Sequence, residues 1–266
     1  MKNIINLLTV RTDVTSVNKT INQVNLWMAS PAHNNRGRYI CFSNVHMCME
    51  TFDDEAYRDM VNHADMVVPD GRALVWAQKL LGFSKAQQVR GADLTLSLCE
   101  YAAQKNIPIG FYGATPLHLD NIAHNLHLHL PSLHIASAIS PPFRPLTEEE
   151  NQHFIQQINA SGVKILFVGL GCPKQERWMA KHVDKVNCIM LGVGAAFDFI
   201  AEHKRHAPKF IQILGLEWLF RLSCEPKRLW KRYLKHNPRF IWHFFWQWRN
   251  YKKGVDLPEA RYKNKY

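Results

Sequence analysis

The sequence predicts an α/β fold, in which a Rossmann-like, mainly parallel sheet is flanked by helices and followed by a helical, basic and aromatic C-terminal appendage. Short apolar runs rich in β-formers alternate with segments of helical period, which is typical of a parallel sheet covered by helices. The chain has 266 residues, 47% of them hydrophobic, so it can bury a sizeable core. We expect an α/β domain over residues 1–215 and the appendage over 216–266.

Seven apolar runs are candidate strands: Ile4–Val10, Tyr39–Ser43, Met66–Val68, Ile107–Tyr112, Leu133–Ala138, Val163–Val168 and Asn187–Leu191. Between them, helical patterns cover residues 14–28, 54–63, 71–81, 92–105, 115–129, 147–160 and 173–184. The clearest helix start is Thr147, because its hydroxyl can cap the free amides and three glutamates follow it.

The positive charge is confined to the last quarter of the chain. Residues 1–203 carry a net charge of −1, whereas residues 204–266 carry +12 and five of the eight tryptophans. In this tail Asn237-Pro238 predicts a helix start, and Arg239, His243 and Gln247 form one polar stripe with aromatic residues around it. We expect the aromatic surface to lie on an anionic membrane, and the alternative is a helix docked on the body.

Composition also bounds the location of the protein. No uncharged apolar run approaches the roughly 18–20 residues of a membrane-spanning helix, and the apolar start is closed too early by Arg11 for a signal peptide. The six cysteines form no Cys-x-x-Cys pair and no spacing typical of zinc. We therefore expect a cytoplasmic protein with reduced thiols, peripheral on the inner face of the membrane.

Glycine and polar residues follow the predicted strands, where ligands bind in folds of this class. The pairs Gly169-x-Gly171 and Gly192-x-Gly194 can bring backbone amides close to a diphosphate. Lys174 and Phe197 stand where a dinucleotide-binding fingerprint needs its third glycine, so a nicotinamide cofactor is disfavoured.

Two charged residues at these junctions have two interpretations each. Asp70, between Pro69 and Gly71, is either a general base or the cap of the next helix. Arg90 either grips phosphate or forms a surface ion pair. The histidines of residues 118–129 lack a partner motif for metal, and Asp53-Asp54 is not an Asp-x-Asp pair, so we expect neither a metal nor another cofactor.

Six groups of residues, in this order, resemble the WecG/TagA/CpsF glycosyltransferases (glycosyltransferase family 26) over about residues 38–234. They are Pro69-Asp70-Gly71 with Trp76, Arg90-Gly91-Ala92-Asp93-Leu94, Gly171-Cys172-Pro173-Lys174-Gln175-Glu176, Gly192-Val193-Gly194-Ala195-Ala196-Phe197-Asp198, Arg205-His206-Ala207-Pro208, and Gly215-Leu216-Glu217-Trp218 continuing to Glu225-Pro226-Lys227-Arg228-Leu229. Ser43, His46 and Cys172 depart from the residues common in relatives.

The resemblance implies an inverting transfer of a sugar, N-acetylmannosamine-type or a related hexose, from a UDP-sugar to a polyprenyl-diphosphate-linked saccharide in cell-surface polysaccharide synthesis. It implies that Asp70 is the general base and that Arg90 and Gln175 are catalytic. The expected substrate-binding residues are Asn44, Gly169, Gly171, Lys174, Gly192, Gly194, Asp198, Arg221, Arg228 and Arg232.

Two other classes remain as alternatives at this point. An oxidoreductase with a nucleotide cofactor would use the same sheet, but the complete glycine fingerprint is missing. A nucleic-acid-binding protein would use the basic, aromatic tail. Neither explains Asp70, Arg90 and Gln175 together, so we expect no nucleic-acid partner, and a homo-oligomer is left open.

Overall fold

A six-stranded parallel sheet forms the centre of the protein, whose computed structural model describes residues 4–30, 36–201 and 207–255. Its strands are β3 (Arg38–Ser43), β4 (Met66–Pro69), β5 (Ile109–Gly113), β6 (Ile135–Ile139), β7 (Ile165–Gly169) and β8 (Ile189–Gly192). The strand order is β4-β3-β8-β7-β5-β6. The predicted Rossmann-like α/β fold is confirmed, and all six strands end at one edge of the sheet.

Helices cover both faces of this sheet. They are α1 (Val17–Ala29), α2 (Val45–Asp53), α3 (Glu55–Asn62), α4 (Arg72–Leu80), α5 (Gly91–Lys105), α6 (Pro116–His129), α7 (Glu148–Ala160), α8 (Lys174–His182), α9 (Ala196–Ile200), α10 (Lys209–Ile213), α11 (Glu217–Cys224) and α12 (Pro226–Lys252). The Thr147 cap is confirmed: its side chain accepts from the Glu150 amide, and the Glu150 side chain accepts from the Thr147 amide.

The core consists of two layers, one on each side of the sheet. Side chains of a strand alternate between the faces, so Tyr39 and Cys41 pack in one layer while Ile40 and Phe42 pack in the other. The first layer contains residues of α2, α3, α4, α7, α8 and α12, and the second contains residues of α1, α5, α6 and α9.

The first predicted strand, Ile4–Val10, is corrected by the structure. It is a separate antiparallel hairpin of β1 (Ile4–Leu7) and β2 (Val10–Asp13), joined by a two-residue turn. Leu8 in that turn has a φ of 57°, in the left-handed region where a two-residue hairpin turn usually has glycine or asparagine. Because leucine stands there instead, the sequence contains no local signal for this turn. The helix predicted over 14–28 consequently starts later, at Val17, where Ser16 caps it.

The sequence patterns missed the short helices α2, α9 and α10 and placed the start of α12 wrongly. Helix α2 was not predicted, although Asn44 caps it by accepting from the Met47 amide at 3.2 Å. The C-terminal helix was predicted to begin at Asn237-Pro238, but α12 begins at Pro226 and Pro238 lies inside it. Burial of Leu229, His236 and Phe240 on both sides of this proline offsets the backbone hydrogen bond that it removes.

The polar stripe of α12 faces the protein body. Arg239 forms an ion pair with Asp53, and the His243 ring lies 4.4 Å from that of Phe52. The Gln247 side chain accepts from the Leu8 amide and donates to the Asn6 carbonyl. The alternative of a helix docked on the body is therefore realised for this stripe, and the opposite side of the helix is exposed.

The outer face of α12, as we call its exposed apolar side chains, comprises Trp230, Leu234, Ile241, Trp242, Phe245 and Trp246. Ile241, Trp242 and Phe245 also line the large cleft described below. Among the described residues, no helix has both the length and the hydropathy required to cross a membrane.

The two faces of α12 should respond differently to truncation. Phe240 is 4% exposed, so Phe240→Ala should lower the free energy of unfolding by about 3–5 kcal/mol. Ile241 is 67% exposed, so Ile241→Ala should change it by no more than about 0.5 kcal/mol. Urea denaturation measures both values, and equal effects would show that α12 does not dock as described.

Candidate active site

A cleft of about 1560 Å³ lies at the carboxyl edge of the sheet, closed on its far side by α11 and α12. Its volume exceeds that of a typical pocket for one small ligand, so it has room for two substrates. Twelve of the thirteen residues expected from the sequence line it: Asn44, Asp70, Arg90, Gly169, Gly171, Gln175, Gly192, Gly194, Asp198, Arg221, Arg228 and Arg232. Lys174 is exposed and lies outside the lining.

Asp70 sits where β4 ends beside β3. Its backbone N–H donates to the Ser43 carbonyl at 2.8 Å, which anchors the residue to the neighbouring strand. Its Oδ1 accepts from the Gly91 amide at 3.0 Å, and the Asn44 side chain also hydrogen-bonds to its carboxyl group. The side chain does not cap α4, whose N-terminus has no side-chain hydrogen bond. Of the two interpretations of Asp70, the helix cap is thus excluded for α4.

The surroundings of Asp70 shift its acidity toward neutrality. Burial raises the pKa of this carboxyl group to about 6, against the lowering effects of the Gly91 hydrogen bond and the Arg221 charge. A carboxyl group with a pKa near 6 is ionised at pH 7 and is still basic enough to take a proton. The geometry therefore suits Asp70 to general-base chemistry.

Gln175 holds the two glycine turns together. Its Nε2 donates to the Gly192 carbonyl at 2.5 Å and to Glu176 at 2.7 Å, and its Oε1 accepts from the Gly171 amide at 3.1 Å. Both side-chain N–H groups are therefore used inside the protein. This supports a role in positioning the turns rather than in direct contact with a substrate.

The turns themselves need glycine because they pack so closely. A Cβ on Gly169 would lie 2.4 Å from the Phe197 ring, and one on Gly194 would lie 3.1 Å from the Gln175 side chain at a φ of 51°. The backbones of β7 and β8 can thus reach the cleft floor only without side chains at these positions.

Arg90 connects the body to the helices that close the cleft. Its guanidinium donates to Asp93 at 2.8 Å, to Glu217 of α11 at 3.1 Å, and to the Gln212 side chain of α10. The ion-pair interpretation of Arg90 is thus realised, with its partners at the cleft rather than on an open surface. The side chain is 30% exposed and still lines the cleft.

Three arginines of α11 and α12 line the cleft, and the charge of one of them, Arg221, acts on Asp70. The Nε atoms of Arg221 and Arg232 are buried and have no hydrogen-bond partner among the described residues. Arg228 forms an ion pair with Glu225 at 2.6 Å. These two N–H groups can donate hydrogen bonds to an anionic ligand, because a buried guanidinium N–H without an acceptor is energetically costly.

Sequence reasoning missed several cleft residues. His118, interpreted from the sequence only as a metal candidate, lies 3.5 Å from Asp198, an expected substrate-binding residue. Glu217 belongs to one of the residue groups that resemble the family, but nothing in the sequence indicated its contact with Arg90. His236 carried no signal at all. Arg205 and His206 lie outside the described residues.

A second buried carboxyl group supports the floor of the cleft. Glu176 is fully buried, and burial raises its pKa to about 6. It accepts from the Tyr57 hydroxyl at 3.2 Å and from Gln175. Tyr57 also contacts Cys172 at 3.3 Å, so this network ties α3 to the start of α8.

Replacing Gln175 should destabilise the fold. Gln175→Ala leaves the Gly171 amide and the Gly192 carbonyl without their partner, so the free energy of unfolding should fall by about 1–3 kcal/mol. The neighbouring exposed Lys174→Ala serves as the control and should change it by less than about 0.5 kcal/mol. Chemical denaturation followed by tryptophan fluorescence measures both, and equal stability of the two variants would contradict this role.

Comparison with known proteins agrees with this geometry. The model of the glycosyl transferase WecG/TagA/CpsF family matches residues 5–254. A protein of Bacillus spizizenii, named N-acetylglucosaminyldiphosphoundecaprenol N-acetyl-beta-D-mannosaminyltransferase, is 29% identical over 208 residues, which is 78% of each chain. The chain therefore belongs to the WecG/TagA/CpsF family of glycosyltransferases.

Proposed function

We propose that this glycosyltransferase moves an N-acetylmannosamine-type sugar from a UDP-sugar to a polyprenyl-diphosphate-linked saccharide, with inversion at the anomeric carbon. The observation that carries the proposal is Asp70, a carboxyl group with a raised pKa at the floor of a cleft lined by arginines. The printed name of the B. spizizenii relative supports the choice of sugar and of a lipid-diphosphate acceptor. The polymer produced would belong to the cell surface.

Asp70 acts as the base in this mechanism. Its carboxylate takes the proton of the acceptor hydroxyl while the acceptor oxygen forms its bond to the anomeric carbon. On the opposite face of that carbon the bond to the diphosphate oxygen breaks, and UDP leaves with the bonding electron pair. The Gly91 amide and Asn44 hold the Asp70 carboxyl group in one orientation throughout.

The leaving diphosphate needs positive charge and N–H donors. Arg221 and Arg232 supply buried guanidinium donors, and Arg228 adds charge at the rim of the cleft. Arg90 holds α11 in place through Glu217 and so positions Arg221 on the same helix. Gly171 and Gly194, with Asp198, shape the turns that receive the nucleotide.

The outer face of α12 would bring this cleft to a membrane-bound acceptor. Trp242 is 61% and Trp246 is 42% exposed, and tryptophan favours the headgroup boundary of a bilayer. Lys227, Lys231 and Lys252 are exposed on the same helix and Lys253 directly follows it, and each can add about 1 kcal/mol at an anionic leaflet. We propose that residues 216–266 act as this appendage and that the protein lies on the inner face of the cell membrane.

The proposed activity can be tested by UDP release from a panel of UDP-sugars with a lipid-diphosphate N-acetylglucosamine analogue as acceptor. UDP-N-acetylmannosamine should give the highest turnover. Asp70→Asn keeps the shape of the side chain but removes the proton acceptor, so turnover should fall by about 10²–10⁴-fold while donor binding persists. Near-normal turnover of Asp70→Asn would remove this residue from the mechanism.

The activity should depend on the protonation of Asp70. Since burial raises the pKa of Asp70 to about 6, the carboxyl group is protonated and inactive below that value, and kcat/KM should rise with pH through about 6. Burial also raises the pKa of Glu176 to about 6, so Glu176→Gln is the matched control. The rise of kcat/KM with pH should persist in Glu176→Gln. If the rise disappears in that variant, it reports the protonation of Glu176 instead of Asp70.

Membrane binding should depend on the outer face of α12. The double variant Ile241→Ser with Trp242→Ser should lose sedimentation with phosphatidylglycerol-containing vesicles at an unchanged melting temperature, because both side chains are exposed. Leu26→Ser with Leu128→Ser, at 63% and 64% exposure on α1 and α6, is the matched control and should still sediment. Equal sedimentation of both double variants would refute docking through this face.

A further inference from the structure

Three potential metal ligands meet where α12 crosses α2, apart from the groups assigned above to sugar transfer. His46 and Glu50 lie one turn apart on α2, and His236 comes from α12. The Glu50 Oε1 atom is 3.6 Å from His46 Nε2 and 3.7 Å from His236 Nε2. All three ligand atoms lie within 4.8 Å of one another, which makes this the one such cluster found in the described ranges.

The two separations that involve Glu50 are close to those of a zinc site. Ligand atoms at about 2.0–2.1 Å from a tetrahedral Zn²⁺ are about 3.3–3.4 Å apart, so shifts of a few tenths of an ångström would bring both histidine nitrogens to this distance from Glu50. The two imidazole rings are perpendicular, at 89°, with centroids 5.2 Å apart. Each ring can therefore direct one nitrogen at a common point without stacking on the other.

Hydrogen bonding does not account for the burial of His236. Its side chain is 5% exposed, its Nδ1 is buried without a hydrogen-bond partner in the described part of the chain, and its Nε2 is too far from Glu50 for a hydrogen bond. A buried imidazole nitrogen opposite a carboxylate oxygen is a ligand arrangement found in zinc sites.

Basic side chains of α12 lie near the cluster: the charge of Arg232 acts on His46, and the charges of Lys235 and Arg239 act on His236. Lys235 and Arg239, the charged neighbours of His236 on α12, both form ion pairs with Asp53. The Nδ1 atom of His46 lies 3.5 Å from the Cys172 sulfur, so it has an outer partner while its Nε2 faces Glu50. Both histidines also line the cleft, which leaves space for water as a fourth ligand.

We propose that His46, Glu50 and His236 bind a divalent transition metal of the zinc type that fastens α12 to α2. The metal is structural: it joins the helix that carries Arg232 and the outer face to a helix that begins at the Asn44 cap. This inference is independent of the sugar transferred and of the role of Asp70.

Zinc titration of the untagged, full-length protein, freed of metal beforehand, tests the proposal. In competition with a chromogenic chelator, one equivalent of Zn²⁺ should bind with a dissociation constant of about 1 µM or tighter and should raise the melting temperature. His46→Asn and His236→Asn should each weaken binding at least about 100-fold. His243→Asn, on the same helix but in contact with Phe52, is the matched control and should bind like the parent.

A second readout identifies the ligands directly. Co²⁺ bound in place of Zn²⁺ should give a visible absorption spectrum that is lost in Glu50→Gln and kept in His243→Asn. His46, with its side chain 18% exposed, provides the deciding variant if His236→Asn does not fold. Absence of micromolar zinc binding, equal binding by His46→Asn and the parent, or loss of binding in Cys172→Ser but not in His236→Asn would each overturn the proposal.

Discussion

The close approach of β7 and β8 at their carboxyl ends is the constraint on which the cleft depends. Gln175 bridges the turns after these strands, and Gly169 leaves room for the Phe197 ring. At these two turns the floor of the cleft consists of backbone atoms, which leaves space for a bulky charged ligand. Side chains on these turns would fill the space that a sugar nucleotide requires.

The sheet edge and the helices α11 and α12 supply different parts of the cleft. The sheet edge provides a rigid floor with Asp70 fixed by the Gly91 amide, and α11 and α12 provide the cationic wall. Arg90 connects the two through Glu217, so the position of the arginines relative to Asp70 depends on contacts made outside the sheet. Under the proposed mechanism, this placement of charge stabilises the departing diphosphate.

Helix α12 docks on the body through its polar stripe and also through apolar side chains, since Phe240 is buried and Phe244 and Trp248 pack against the core. In its narrow polar stripe, Arg239 forms an ion pair with Asp53 and Gln247 hydrogen-bonds to the β1-β2 turn. Other large apolar side chains of the helix are exposed. Clustered apolar side chains exposed in this way are typical of an interaction surface. Phe240 lies beside the stripe and is buried in the same layer of the core as α2.

The sequence by itself determined the α/β class and the parallel sheet, because apolar periodicity follows from local order along the chain. Strand-end position and the family resemblance added twelve of the residues that line the cleft. The sequence could not give the β1-β2 hairpin, whose turn residue Leu8 has no local signal, or the extent of α12 through Pro238. Only the tertiary structure decided which face of α12 docks, that Arg90 pairs with Glu217, and that His236 meets His46. These contacts join residues more than a hundred positions apart, and their energies depend on burial that exists only once the chain is folded.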